Sequence, residues 1–425
     1  MEPERERRCG ILLLKWEVTR VASRSMINGC FASLPWSGAC SPASRQACSR
    51  AAALAVSIAF NAAGTSTAMA IVAQKHPFVI GVDTHARNHA LSILACPHGE
   101  TIDEAIFPAT SAGLARAVTW VEQRTGGDLD ALWVIEGTGT YGARLARAAA
   151  DAGYPVVEAP RMNARANRGI GKSDPLDARR IAQAALPLVT TQLRHPRADT
   201  GVRAAVRILL ASRDHMSTER TATINALIAL LRVTDLGIDA RRPLTASQVT
   251  AVAAWRARTE DLATATARWE ANRLAKRVTA LDKDLTTITT RITDLLHHSP
   301  ARTLLEEPGI GPITAAVALT AWSHLGRIRS EAAFASLAGV NPIPASSGNT
   351  IRHRINQGGD RRLNRALHMA VVTRMRMDPR TRTYVERRTT EGRTTKEIRR
   401  CLKRYLARQI YRHLNAAAQL TPDTP

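Results

Sequence analysis

Four acidic residues stand out by type and spacing. Asp83 closes the apolar run FVIGVD (78–83), and Glu136 sits at the end of another, LWVIEG (132–137). Asp174 and Asp177 lie three apart in GKSDPLDARRIAQAAL (171–186). Short apolar runs of this kind read as buried strands, each here ending in an acid. Positions i and i+3 of a helix share a face, so Asp174 and Asp177 can point the same way. Four carboxylates in one place repel each other unless divalent cations neutralise them. Mg²⁺ prefers carboxylate and water oxygens and commonly sits against phosphates. Two such ions can activate an attacking oxygen and stabilise a leaving one. The order Asp, Glu, Asp-x-x-Asp therefore fits metal-dependent phosphodiester chemistry. The second pair also has a plain structural reading. Asp174 can N-cap a helix, Pro175 suits its first position, and Asp177 then sits third, where an acid favours the positive helix end. The local sequence leaves both readings open.

The elements that must position these acids follow from periodicity. Strands are expected at 78–83, 89–95, 101–107, 132–137 and 154–160, with helices over 111–124 and 141–153. Three strands in a meander, followed by alternating helix and strand, is the layout of a ribonuclease H-like α/β fold. In such a sheet the first and fourth strands are neighbours, so Asp83 and Glu136 would meet at one edge. Residues 203–233 and 245–300 read as helical. Within the second stretch Leu274, Val278, Leu281, Leu285, Ile288, Ile292 and Leu295 are spaced 4, 3, 4, 3, 4, 3, which predicts a coiled-coil seam, between chains or within a hairpin. At 304–318, LLEEPGIGPITAAVA reads as a helix-hairpin-helix, with Gly309 and Gly311 letting backbone N–H groups approach a phosphate.

Charge points the same way. The net charge is +23 with a pI of about 11.0, which suits a polyanionic partner, most simply nucleic acid. From Arg352 to Arg412 there are 19 Lys and Arg against 5 Asp and Glu, too one-sided for balanced surface pairing. The six cysteines show no zinc-ligand spacing, which fits a reducing cytoplasm. Residues 1–76 differ from the rest. The stretch RAAALAVSIAFNAAGTSTAMA (50–70) imitates an export signal far from Met1, and a start at Met69 would open directly into the first strand. This segment is expected to be disordered or mis-assigned, and no membrane span is expected.

FVIGVDTHARNHALSIL, WVIEGTGTYG and KSDPLDARRIA resemble the DEDD motif regions of insertion-sequence transposases with a RuvC-like N-terminal domain. PGIGPITAAVALTAW and FASLAGVNPIPASSGNTIRHRINQGGDRRLNRAL resemble the second, C-terminal domain of the same family. The resemblance runs in order from about residue 77 to 415. It implies a RuvC-like catalytic domain at 77–200, a helical linker with coiled coil at 201–300, a mainly α C-terminal domain at 301–415 and a flexible tail at 416–425. It also implies a serine nucleophile in ASSGNT (345–350), with Ser347 the best match and Ser346 the near alternative, and Mg²⁺ on Asp83, Glu136, Asp174 and Asp177. Arg352, Arg354, Arg361, Arg362 and Arg365 are the expected nucleic-acid contacts. The implied partners are DNA at element ends and target, a guide RNA from the element's own non-coding end, and further copies of the chain in a dimer or tetramer. Asp360 in the GGDRRLNRAL turn departs from the family pattern. The rival readings are a RuvC-like junction nuclease without serine chemistry, and a nucleic-acid-binding protein with an inactive acidic site.

Overall fold

A computed structural model describes residues 70–162, 173–198, 200–346, 348–349 and 353–420. The expected extension up to Met69, Ser347, Arg352 and the last five residues of the expected tail lie outside the described residues. A short helix α1 (Val72–Lys75) leads into a five-stranded sheet. Its strands are β1 (Phe78–Thr84), β2 (Asn88–Ala95), β3 (Glu100–Pro108), β4 (Leu132–Ile135) and β5 (Val156–Glu158), in the order β3-β2-β1-β4-β5. The pairs β1–β2 and β2–β3 are antiparallel; β1–β4 and β4–β5 are parallel. The meander and the parallel half expected from sequence are both present. β1 is central and buried on both faces, which is why it reads as a nearly continuous apolar run.

Each face has its own core. Ile80, Val82, Trp133 and Ile135 pack with Leu114 and Val121 of α2 (Ser111–Thr125) and Leu145 of α3 (Ala143–Asp151). Val79, Leu132, Val134 and Val157 pack on the opposite face against Ile181, Ala182 and Ala185 of α4 (Asp174–Ala185). Val72 of α1 joins that second core, so the folded domain takes in residues 70–76 as well. Side chains alternate along a strand, so Gly81 and Asp83 share the α4 side with Val79. At Gly81 the helix comes as close as backbone allows. A Cβ there would lie 2.0 Å from the Ala178 carbonyl oxygen and 2.7 Å from the Ala182 nitrogen. Glycine on the strand and alanines on the helix thus let α4 lie directly against β1.

The start of α4 differs from expectation by one residue. Its N-cap is Ser173, in extended conformation, and the Asp177 N–H donates to the Ser173 carbonyl at 3.0 Å. Asp174 is the first helical residue, Pro175 the second and Asp177 the fourth. Proline is tolerated at either of the first two positions because neither N–H has a partner within the helix, so proline did not fix the register.

Beyond the sheet, α5 (Gly201–Val233) and α7 (Leu262–His297) form a long antiparallel pair bridged through α6 (Ala246–Ala253). Leu210 meets Ile292 and Leu296 at one end, while Leu227 and Leu231 meet Ala271 and Val278 at the other. Of the expected seam, Val278, Leu281 and Ile292 are buried, and Leu274, Leu285, Ile288 and Leu295 are half-buried. Their partner is α5 of the same chain.

The C-terminal region is mainly helical. It comprises α8 (Pro312–Trp322), α9 (Glu331–Leu337), a two-stranded ribbon of β6 (Pro342–Pro344) and β7 (His353–Ile355), α10 (Arg361–Met377), α11 (Pro379–Thr390) and α12 (Thr395–Leu420). Trp322, Phe334, Leu363, Leu367 and Ile410 form its core together with Val206 of α5 and Ile292 of α7. α12 runs to Leu420, so the first five residues of the expected tail are helical. The first arm of the expected helix-hairpin-helix is a single 3-10 turn, Arg302–Glu306. Gly309 turns inward, where a Cβ would sit 2.8 Å from the Ala370 carbonyl oxygen of α10. Glu307 beside it accepts from Arg374 at 3.1 Å and Gln409 at 2.6 Å. Gly309 is therefore held against protein, and Gly311 at the N-cap of α8 is the exposed glycine of the pair.

Gly81→Ala is expected to lower stability by about 1–3 kcal/mol, because the clash is with backbone that cannot rotate away. It should also loosen divalent-cation binding at the acids on α4. Thermal unfolding and calorimetric cation titration check both, with Gly311→Ala as control, since a Cβ there meets open space. Unchanged values for Gly81→Ala would contradict the close packing.

Candidate functional site

Asp83 lies at the C-terminal end of β1, facing α4, and is only 7% exposed. Two residues on, His85 places Nε2 3.2 Å from Asp83 Oδ2 and 3.5 Å from Asp174 Oδ1. One ligand atom from each of Asp83, His85 and Asp174 lies within 4.8 Å of the others. Asp174 arrives there because α4 packs on Gly81 and its first turn therefore reaches the end of β1. Its carboxylate faces His85 across the cleft and Ser173 takes the cap position, which separates the two roles that sequence left entangled.

The other two acids are placed differently. Glu136 follows β4 directly, and its backbone is pinned beside Asp83: its N–H donates to the Val82 carbonyl and its carbonyl accepts from Thr84 Oγ1, both at 3.0 Å. Its side chain is exposed and is not among the three groups that converge. Asp177 is paired with Arg180, one turn along α4, at 2.8 Å. The structure thus gathers two of the four expected carboxylates around a histidine that sequence reasoning passed over. The signal was present in VDTH, since alternate residues of an extended chain face the same side.

Electrostatics mark the cluster as an unbalanced site. Burial pushes the Asp83 carboxyl above the ordinary carboxylate range; His85 opposes this, and the charges of Asp174 and Asp177 add to it. A buried carboxylate facing further acids is the environment a divalent cation relieves. Two carboxylates suit a hard cation such as Mg²⁺, and the imidazole adds a ligand type common to Mn²⁺ and other transition ions.

The C-terminal candidates gather elsewhere. Ser346 lies between β6 and β7. The ribbon is anchored where Gly359 meets Gly339, since a Cβ on Gly359 would lie 2.3 Å from the Gly339 nitrogen. Asp360, the departure from the family pattern, N-caps α10 by accepting from the Arg362 and Leu363 N–H groups at 2.9 and 3.0 Å. Beside the ribbon a cavity of about 960 Å³ opens, and Arg354, Arg361 and Arg365 all line it. Among the described residues no carboxylate pairs with any of these three. Arg362 does not belong with them. It points the other way on α10, donating to the Leu210 carbonyl at 2.7 Å and pairing with Asp214 at 2.7 Å. Arg361 before it is exposed because adjacent helical residues are about 100° apart.

Two transposase family profiles match the chain. One, a DEDD transposase profile of the IS110 type, covers residues 80–234; the other, described as the IS116/IS110/IS902 family, covers residues 301–386. An uncharacterized 42 kDa protein of insertion element IS900 from Mycobacterium paratuberculosis is 31% identical over 272 residues, which are 53% of this chain and 67% of that protein. The chain belongs to the IS110-type family of insertion-element transposases. A 43.6 kDa protein of insertion element IS110 from Streptomyces coelicolor is 34% identical over 123 residues, 28% of this chain and 30% of that relative. The transposase thus carries a ribonuclease H-like DEDD domain, the mixed sheet with α4, ahead of a mainly helical second domain. Among its described residues no helix is long and apolar enough to cross a membrane.

Because the folded transposase binds the Asp83 proton more tightly than the unfolded chain does, the ionised carboxylate costs stability at neutral pH and none once both states are protonated. Asp83→Asn is expected to raise Tm at pH 7 in the presence of a chelator, with the gain shrinking as pH falls. It should also weaken divalent-cation binding at least tenfold or so. Scanning calorimetry across pH and cation titration test this; a variant less stable than wild type without metal would contradict it.

Proposed function

We propose that this transposase cuts and rejoins DNA with a divalent-cation site on its first domain and a serine nucleophile on its second. The convergence of Asp83, His85 and Asp174 at the end of β1 carries the reading. Asp83 and Asp174 would hold Mg²⁺, with Glu136 and Asp177 as the further carboxylates of the set. Mg²⁺ bound there would supply positive charge to phosphate oxygens as negative charge builds on them. His85 orients the Asp83 carboxylate through their 3.2 Å contact.

Ser347 supplies the nucleophile, with Ser346 the neighbouring alternative. The Ser347 Oγ–phosphorus bond forms as one P–O ester bond of the strand breaks. The hydroxyl proton passes by way of a carboxylate of the first domain to the strand oxygen that leaves as a free hydroxyl, because an unassisted serine is a weak nucleophile. A hydroxyl of the receiving strand then displaces the serine, its proton passing by the same carboxylate to the serine oxygen. Arg354, Arg361 and Arg365 hold the strand's phosphates beside the loop. An RNA from the element guides the choice of site, and copies of the chain act together. The positive charge of residues 352–412 and the sequence resemblance support these two parts.

Denaturing a reaction in progress is expected to trap a DNA–protein adduct that disappears in Ser347→Ala and persists in Ser346→Ala. Normal recombination by Ser347→Ala would overturn the serine. The carboxylate cluster assembles from residues of the first domain alone, which favours hydrolysis by water as the second reading. Cleavage without any adduct would establish that reading instead. For the guide, transposase purified from its native locus is expected to carry a discrete RNA from the element's flank; random cellular RNA would contradict it.

A further inference from the structure

Tyr405 of α12 lies on the wall of the C-terminal cavity together with Arg354, Arg361, Arg365 and Arg400. It is 54% exposed, and its ring stands edge-to-face against half-buried Tyr384, with centroids 6.0 Å apart and planes at 88°. That contact holds the ring in one orientation while leaving more than half of the residue open. Lys403 closes the floor, its Nζ donating to Asn364 Oδ1 at 2.9 Å, and Asn364 in turn donates to the Ala338 carbonyl at 2.7 Å. The wall is therefore built on side chains tied to the β6–β7 ribbon's own supports. Among the described residues that line it, Glu397 is the one acid.

A cationic surface by itself fits any nucleic acid. An open aromatic ring set inside a cationic recess fits a narrower class. In a duplex the base faces are covered by their neighbours in the stack, and only base edges and phosphates meet a protein. An unpaired strand offers phosphates and bare π-faces together, and aromatic platforms in positively charged grooves are how proteins hold such strands. We propose that this cavity binds an unpaired segment of nucleic acid, with a base stacked on Tyr405 and the adjoining phosphates on Arg354, Arg361, Arg365 and Arg400. The segment would lie beside the β6–β7 ribbon, whose Pro342 and His353 also line the cavity. The inference needs only that the transposase handle nucleic acid. It rests on neither the serine nor the metal chemistry.

The test is binding by the full chain in EDTA, where no strand is cut, so failure of the cleavage reading leaves it untouched. Short labelled single strands of DNA and of RNA with one sequence, and the DNA duplex of that sequence, are titrated by fluorescence anisotropy. Tyr405→Ala is expected to weaken at least one unpaired strand roughly tenfold and the duplex less than about twofold. Tyr405→Phe should bind as wild type, since stacking does not use the hydroxyl. The strand that loses affinity identifies the natural ligand as DNA or RNA. Arg361→Ala should weaken strands and duplex together and reduce the salt dependence by about one counterion. A 2-aminopurine in the strand should be quenched on binding wild type and not on binding Tyr405→Ala. The proposal is overturned if Tyr405→Ala binds both single strands as wild type does. It is equally overturned if the variant loses duplex binding to the same degree, or if Tyr405→Phe fails alongside it.

Discussion

The contact between Gly81 and the Ala178–Ala182 turn of α4 sets the geometry of the first domain. A helix packed on a sheet usually stands off by the length of the side chains between them. Here the strand presents no side chain and the helix presents methyl groups, so the two backbones nearly touch. The first turn of α4 is consequently brought to the end of β1, where Asp83 emerges. A Cβ at Gly81 would push against the Ala178 carbonyl and so against the helix that carries Asp174. Asp83 and Asp174 are thus brought together at a strand that bears no side chain at Gly81, and the apolar stripe Ala178, Ile181, Ala182 and Ala185 holds that approach.

The same approach has an electrostatic cost. Burial beneath α4 pushes the Asp83 carboxyl up, the charges of Asp174 and Asp177 add to it, and His85 opposes it, while Arg180 pairs with Asp177. A buried carboxylate facing further acids is the environment that a divalent cation would relieve.

Arginines of the second domain divide by direction rather than by number. Arg362 ties α10 to α5, Arg374 binds the turn at Pro308 and Glu307, and Arg408 pairs with Glu331. These guanidinium groups are spent on holding helices together. Arg354, Arg361 and Arg365 instead share one cavity with Tyr405. The excess of positive charge is therefore focused at the ribbon that bears the serine loop, where the Gly339–Gly359 approach fixes that ribbon against α10.

Much of this was legible along the chain. The apolar runs ending at Asp83 and near Glu136, the glycine-closed helices and the meander order specify the mixed sheet, because alternation and helical periodicity depend on neighbours only a few residues away. The resemblance of both halves to one transposase family was legible too. Three things were not: that Ser173 rather than Asp174 caps α4, that Arg362 faces away from Arg361, and that Gly309 packs on Ala370. Nor did the seam of α7 say that its partner would be α5 of the same chain. Local pattern along the chain thus marks most strands and helices and the residues able to do chemistry. Which of those residues meet is set by the folded packing, because contacts such as Gly81 with Ala178 join segments about a hundred residues apart, and no local pattern encodes that distance.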